Sequence, residues 1–226
     1  MSNVLIIGAS RGIGLEWAKQ FSNKGANLYA TCRQPTDQLR SLKNTQIISD
    51  IDVRHDECIT QLKRNKQLPD KIDVCIYNSG IMYPEMLRSL NKTDSILEQF
   101  NVNSVGPLRI SKALIDTKKL QKGSKYCIMT GIIGSIAEPT PVRGMYGYRM
   151  SKCSANMAGH ILANDLKNKK IAVGMFHPGY VRTDMTKGSG AMEADEAVEA
   201  MMGLVDGLNM ENSGSFWHSN GKILPW

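Results

Sequence analysis

The sequence predicts an α/β protein with a doubly wound, mostly parallel sheet of seven strands and helices on both faces. Three observations carry this. Short apolar runs alternate with amphipathic stretches along nearly all of the 226 residues, the pattern of repeated βαβ units. Several of the runs are continuously apolar rather than alternating, as strands covered on both faces are. The first run, Val4–Ile7, leads directly into a glycine-rich turn that opens a helix, the arrangement in which such a turn is informative.

In chain order, strands are expected at Val4–Ile7, Asn27–Cys32, Gln46–Ser49, Ile72–Tyr77, Lys125–Thr130, Ala172–Phe176 and Ser215–His218. Helices are expected at Gly14–Asn23, Thr36–Leu42, Glu57–Asn65, Thr93–Phe100, Pro107–Thr117, Tyr148–Lys167 and Ala194–Leu208. Right-handed crossovers wind such strands into a sheet with helices on both sides. Ligands then sit beyond the carboxyl ends of the strands, so the residues after each strand are the ones to read for function. With no repeat and no proline-rich linker, residues 1–226 read as a single domain.

Composition excludes several classes. No segment approaches the ~18 apolar residues of a membrane helix. The N-terminal run lacks a basic leader and stops at Gly8, so no signal peptide is read there and a cytoplasmic protein is expected. The five cysteines show no CxxC spacing, which predicts buried reduced thiols and neither a disulfide framework nor a metal site. The formal charge is +7, but its basic residues fall near helix ends, where they complement the helix dipole. No nucleic-acid partner is expected, and part of the positive balance suits an anionic cofactor.

Two motifs carry chemistry. In Gly8-Ala9-Ser10-Arg11-Gly12-Ile13-Gly14, glycines allow close backbone approach to a pyrophosphate, and the helix N-terminus offers free N–H groups. In Tyr148-Arg149-Met150-Ser151-Lys152, a spacing of four places Tyr and Lys on one helix face. A phenol titrates near ~10. A neighbouring ammonium stabilises the phenolate and lowers that value, so the pair can exchange a proton with an alcohol oxygen.

The GxxxGxG spacing, Asn78-Ser79-Gly80 after the fourth strand, Asn103 ahead of Gly106-Pro107, the Tyr148/Lys152 pair and Pro178-Gly179-Tyr180-Val181-Arg182-Thr183 occur in this order. Together they resemble the short-chain dehydrogenase/reductase family, and the resemblance covers essentially the whole chain. It implies a Rossmann-type fold binding a nicotinamide dinucleotide. By this resemblance Gly8, Ser10, Arg11, Gly12, Ile13 and Gly14 form the cofactor turn, and Asp52 and Val53 contact the adenine. Asn78 ties neighbouring strands, and Gly80 lets the ribose lie close. Pro178, Gly179, Val181 and Thr183 belong to the segment that holds the nicotinamide amide. Tyr148 is the acid, Lys152 tunes it and binds the ribose, and Asn103 orders a relay water.

An NAD-preferring site has an acid at the end of the second strand. Here Tyr29-Ala30-Thr31-Cys32-Arg33 has none. Arg33 and Arg11 suit a 2′-phosphate, which guanidinium binds in a bidentate way, so NADP(H) is expected. The family's catalytic serine is where the sequence departs. By motif its position falls on Gly131, and by distance to Tyr148 on Ser135. Ser135 is the candidate and Thr130 a second hydroxyl. A missing oxyanion donor is the remaining outcome.

Ile133–Ile136, Ser213–Trp217 and Gly221–Trp226 are similar to the C-factor and sniffer-like carbonyl reductase branch. That implies NADPH-dependent reduction of a small-molecule ketone or aldehyde to an alcohol, in a homodimer or homotetramer built on the fifth and sixth helices. The alternative is an NADP(H)-binding signalling or sensor protein with weak turnover. The glycines of the short segment Thr186–Glu193 suggest a small mobile lid.

Overall fold

The apolar runs become strands. The computed structural model describes residues 1–90, 93–138 and 142–226. Strands β1 (Asn3–Ile7), β2 (Asn27–Thr31), β3 (Thr45–Ile48), β4 (Val74–Tyr77), β5 (Lys125–Met129), β6 (Ala172–His177) and β7 (Phe216–His218) form one sheet, all parallel, in the order β3-β2-β1-β4-β5-β6-β7. The chain winds outward from β1 in one direction and from β4 in the other. The switch between them opens a crevice at the carboxyl ends. Ile7 pairs with Tyr77, and Tyr77 with Ile128, so the turns after β1, β4 and β5 emerge side by side.

Helices α1 (Gly12–Asn23), α2 (Asp37–Arg40), α3 (Glu57–Arg64), α4 (Asp94–Phe100), α5 (Gly106–Asp116), α6 (Tyr146–Leu166) and α7 (Ala194–Gly207) alternate with the strands. Side chains alternate along a strand, which divides β1 between two cores. Val4 and Ile6 pack with Trp17 and Phe21 of α1 and Val198 and Met201 of α7. Leu5 and Ile7 join the core containing Leu62 of α3, Ile110 and Leu114 of α5 and Leu166 of α6. Burial on both faces is why these strands read as unbroken apolar runs.

Of the helix boundaries that differ from expectation, two bear on the Tyr148 side of the site. The helices expected at Thr93–Phe100 and Pro107–Thr117 are joined: α4 passes through a π turn, Asn101–Val105, straight into α5. Pro107 reads as a helix start because it has no N–H to lose. The widened turn accommodates it instead, with the Gly106 N–H donating to the carbonyl of Asn101. Pro107 also withholds the N–H that an α-helix would deliver to the carbonyl of Asn103. Such π turns gather at functional sites.

The helix expected at Tyr148–Lys167 begins earlier, at Tyr146. Met145 takes a left-handed conformation, φ 56°, and gives no side-chain cap. The buried Glu85, from the loop after β4, supplies the cap: its carboxylate accepts from Gly147 N at 3.3 Å, and its carbonyl from Met145 N at 2.7 Å. Gln99 of α4 donates to the same carboxylate. Two segments distant in sequence thus set where α6 begins, which its own first residues do not reveal.

Candidate active site

The glycine turn leaves β1 with Gly8 at φ 86° and Gly12 at φ 53°, a region that favours glycine. Gly8 and Ala9 both donate to the Thr31 carbonyl, at 3.1 and 3.0 Å. A Cβ on Gly14 would collide with the Gly8 carbonyl, so this glycine is needed for the turn to close on the helix. Asn78 donates Nδ2 to that same carbonyl at 3.1 Å, tying the turn to the end of β4. At the start of α1, Arg11 makes no capping hydrogen bond and the first turn holds no acid. The helix therefore presents uncapped N–H groups and an unneutralised positive end, a fit for a pyrophosphate.

Arg33 is exposed beyond the end of β2. Arg11 is exposed as well and lies 3.6 Å from Asp184. Ser10 accepts at its carbonyl from the Thr36 hydroxyl at 3.1 Å. The segment after β6 reaches this turn: Thr183 Cγ2 would lie 3.5 Å from a Cβ on Gly12.

Asp52 is already engaged. Arg54 grips its carboxylate through Nε at 3.0 Å and Nη2 at 2.6 Å, and its own backbone N–H donates to it at 3.0 Å. The guanidinium holds the Asp52 carboxyl below its ordinary value. The pair is fastened to α4 by Arg54 Nη1–Glu98 at 3.3 Å and by Asn101 Nδ2 donating to the Arg54 carbonyl at 2.8 Å. Val53 is buried, and its carbonyl accepts from Arg109 at 3.0 Å. Arg54 escaped the sequence reading, although an Asp-x-Arg spacing was its signal.

At the other side of the crevice, Lys152 is only 5% exposed. Its Nζ donates to the Met129 carbonyl at 3.0 Å and lies 5.6 Å from the centre of the Tyr148 ring. Burial pulls Lys152 down to about 8 and pushes the Tyr148 phenol up to about 12. This differs from the lowered phenol that the spacing predicts: burial outweighs an ammonium that is turned to a carbonyl. The phenol is thus held protonated at neutral pH.

Asn103, 1% exposed, sits on the π turn. Its side-chain oxygen accepts from Ile81 N, and its Nδ2 donates to the Ile81 carbonyl and to Ser151 Oγ, each at 2.9 Å. A Cβ on Gly80 would lie 3.4 Å from Asn103 Oδ1 and 3.7 Å from Lys152 Nζ. Asn103, Gly80 and Lys152 are therefore brought together, while the Asn103 side chain itself is fully used in fixing α6 and the loop after β4.

Both candidate hydroxyls are committed to backbone. Ser135 donates to the Pro225 carbonyl at 2.8 Å and accepts from Glu138 N at 3.0 Å. Thr130 donates to the Lys152 carbonyl at 3.3 Å. Each hydroxyl has one proton to give, so neither has one left for a substrate oxygen in this arrangement. Gly131, two residues beyond the end of β5, has φ −162°, and the next turn packs so tightly that a Cβ on Gly134 would strike the backbone of Lys152 and Cys153.

The segment after β6 is tied down rather than loose. Thr186 Oγ1 donates to the Val181 carbonyl at 2.9 Å, Ala191 N to Tyr180 at 2.7 Å, and Arg182 N to Met192 at 3.0 Å. The glycines read as a lid permit these close turns; a Cβ on Gly190 would meet the Arg182 backbone. His177, just before Pro178, faces His218 edge-on at 4.8 Å. Burial, His218 and Lys152 hold it down to about 3, so it stays neutral. No cluster of metal-ligating side chains occurs among the described residues, and no described helix is long and apolar enough to cross a membrane. All five cysteines are free.

The family model of the short chain dehydrogenases matches residues 2–194. The chain belongs to this family. Among curated proteins, it is 33% identical over 231 residues to the 1-hydroxy-2-glutathionyl-2-methyl-3-butene dehydrogenase of Rhodococcus sp. (strain AD45), covering 100% of both chains. It is 33% identical over 157 residues to the C-signal of Myxococcus xanthus, covering 69% of this chain and 93% of that protein. The carbonyl reductase Sniffer of D. melanogaster superposes with a TM-score of 0.89 at 26% identity over 100% of both chains. The short-chain dehydrogenase family is a family of oxidoreductases, and the Rossmann-type sheet expected from the sequence is the one found.

Proposed function

We propose that this short-chain dehydrogenase is an NADPH-dependent reductase of ketones or aldehydes. The observation that carries the reading is the buried Lys152 beside Tyr148, packed against Asn103 and Gly80 at the crevice that the glycine turn borders. In this reading Gly8, Ser10, Arg11, Gly12, Ile13 and Gly14 cradle the pyrophosphate. Arg33 and Arg11 take the 2′-phosphate, and Asp52 and Val53 border the adenine. Asn78 and Gly80 face the ribose, while Pro178, Gly179, Val181 and Thr183 border the nicotinamide.

A bound reduced nicotinamide supplies the hydride. Tyr148 delivers the proton to the carbonyl oxygen as it gains charge, and its raised pKa keeps that proton in place beforehand. Lys152 steadies the phenolate left behind. Asn103, whose carbonyl cannot receive an N–H from Pro107, would hold a water that relays a proton toward Lys152. Sheet-spanning chain continuity supports one domain over residues 1–226. Exposed Val105, Leu108, Met157 and Ile161 on the π turn, α5 and α6 support self-association through those helices.

The test is a fluorescence titration with NADPH and, separately, NADH, on wild type and Arg33→Ala. Guanidinium hydrogen bonds to a charged phosphate are worth ~1.5–3 kcal/mol. NADPH is expected to bind at least about tenfold more tightly than NADH, with the preference lost in Arg33→Ala. Equal binding of both nucleotides to wild type sinks the cofactor assignment.

The pH dependence follows from Tyr148 and Lys152. Reduction needs Tyr148 protonated, true well below about 12, and Lys152 charged, true below about 8. Reductive kcat/KM should therefore be flat near neutrality and fall as pH rises through 8. A rate that climbs through that range assigns the proton donor to another group.

One observation favours a second reading, a cofactor-binding signalling protein with slow turnover. Ser135 and Thr130 both donate to backbone carbonyls, and aligned by motif the family's serine position falls on Gly131. Tight NADPH binding without reduction of any member of a broad aldehyde and ketone panel would select it.

A further inference from the structure

The loop after β4 and the approach to α6 border an open groove of about 720 Å³, within the ~300–1,000 Å³ range of small-molecule sites. Arg88 comes from the loop, Arg143 from the approach, and Arg149 from the first turn of α6. Met86, Tyr146 and Met150 add apolar surface. Tyr146, Arg149 and Met150 share one face of the first turns of α6, the same turns from which Tyr148 projects on another face.

Three guanidiniums around one groove repel one another unless an anion joins them. Elsewhere Arg11, Arg54, Arg109 and Arg182 each face a carboxylate within ion-pair distance. Among the described residues, no carboxylate lines this groove or pairs with Arg88, Arg143 or Arg149. The neighbouring acid, Glu85, is turned inward onto Gln99 and Gly147. Arg149 is partly anchored by donating Nη1 to the Val142 carbonyl at 2.7 Å, which leaves most of its five donors for another partner. In the reductase reading the cofactor phosphates belong to the glycine turn with Arg11 and Arg33, beyond the ends of β1 and β2.

We propose that this groove is an anion subsite, and that the preferred substrates are aldehydes or ketones with a carboxylate at the end of an apolar stem remote from the carbonyl. The methionines accept the stem, and the arginines bind the carboxylate in the bidentate way that guanidinium favours. This rests on the reductase reading, and it names the substrate class of that site.

The test compares benzaldehyde with 4-carboxybenzaldehyde under saturating NADPH, on wild type and Arg88→Gln/Arg143→Gln. It adds a calorimetric titration with terephthalate, which cannot be reduced. Wild type should favour the acid in kcat/KM by about tenfold or more, the size of one charge-assisted hydrogen bond. The preference should shrink with added salt and collapse toward one in the double variant, which should also lose terephthalate binding while still binding NADPH. Reduction of both aldehydes without preference, or a preference that survives the double substitution, overturns the subsite and leaves the reductase reading standing. Terephthalate binding that depends on the arginines, with neither aldehyde reduced, supports the subsite and removes the reductase reading.

Discussion

Replacing Tyr148 with phenylalanine is expected to lower kcat by ~10²–10⁴, the usual contribution of a positioned general acid, and to leave NADPH binding within about twofold of wild type. The substitution removes one hydroxyl and keeps the ring that lies 5.6 Å from Lys152 Nζ. The helix start is held by Glu85 from outside and is untouched. Stopped-flow reduction of an aldehyde, beside a cofactor titration, separates chemistry from binding. A variant that keeps its rate shows that the proton comes from elsewhere, and the pH profile then has to be reassigned with it.

Gly131→Ser is expected to raise kcat, by about tenfold or more, since a well-placed oxyanion donor is worth ~10²–10³. The site accepts the side chain. Gly131 has φ −162°, extended backbone open to any residue, and an added Cβ would meet only Ile133 Cγ2 at 3.5 Å, an ordinary contact. The natural hydroxyls nearby donate to Pro225 and Lys152, so the new serine has no established donor to displace. Ser135→Ala is the companion: by its partners, Ser135 fastens the loop, and its loss should lower Tm more than it lowers kcat. If Gly131→Ser changes nothing while binding NADPH normally, the carbonyl is polarised by a group other than a serine at this position.

The parts of the fold legible in the sequence were those set by local pattern. Leu5 and Ile7 face one core and Val4 and Ile6 the other, and such two-sided burial leaves a plain apolar run. Gly8 and Gly14 were readable because a backbone turn at that spacing tolerates no Cβ. What stayed hidden depends on distant partners. Ser135 has the right distance along the chain from Tyr148, but Pro225, 90 residues further on, takes its proton. The joined helix around Asn103 was obscured because Pro107 usually marks a start, and only the packed turn shows how it is passed. The early start of α6 depends on Glu85, 62 residues upstream of Gly147. The grip of Arg54 on Asp52 depends on how the loop after β3 folds back on itself, which residue types alone do not show.

The tail that receives Ser135 has a bearing on how the protein is made. Trp226 stacks on Phe216 at 5.9 Å and meets His160 edge-on at 5.5 Å, and its carbonyl accepts from Ala137 N at 3.0 Å. These contacts close loops of long sequence separation, which form slowly and late. On a ribosome, the crevice wall after β5 therefore stays unclasped until residues 225 and 226 have emerged, long after strands β1 to β4 are available to pair. The sheet around β1 can thus form well before the wall after β5 is fastened, and exchange of the Ala137 and Glu138 amides would report the moment of clasping.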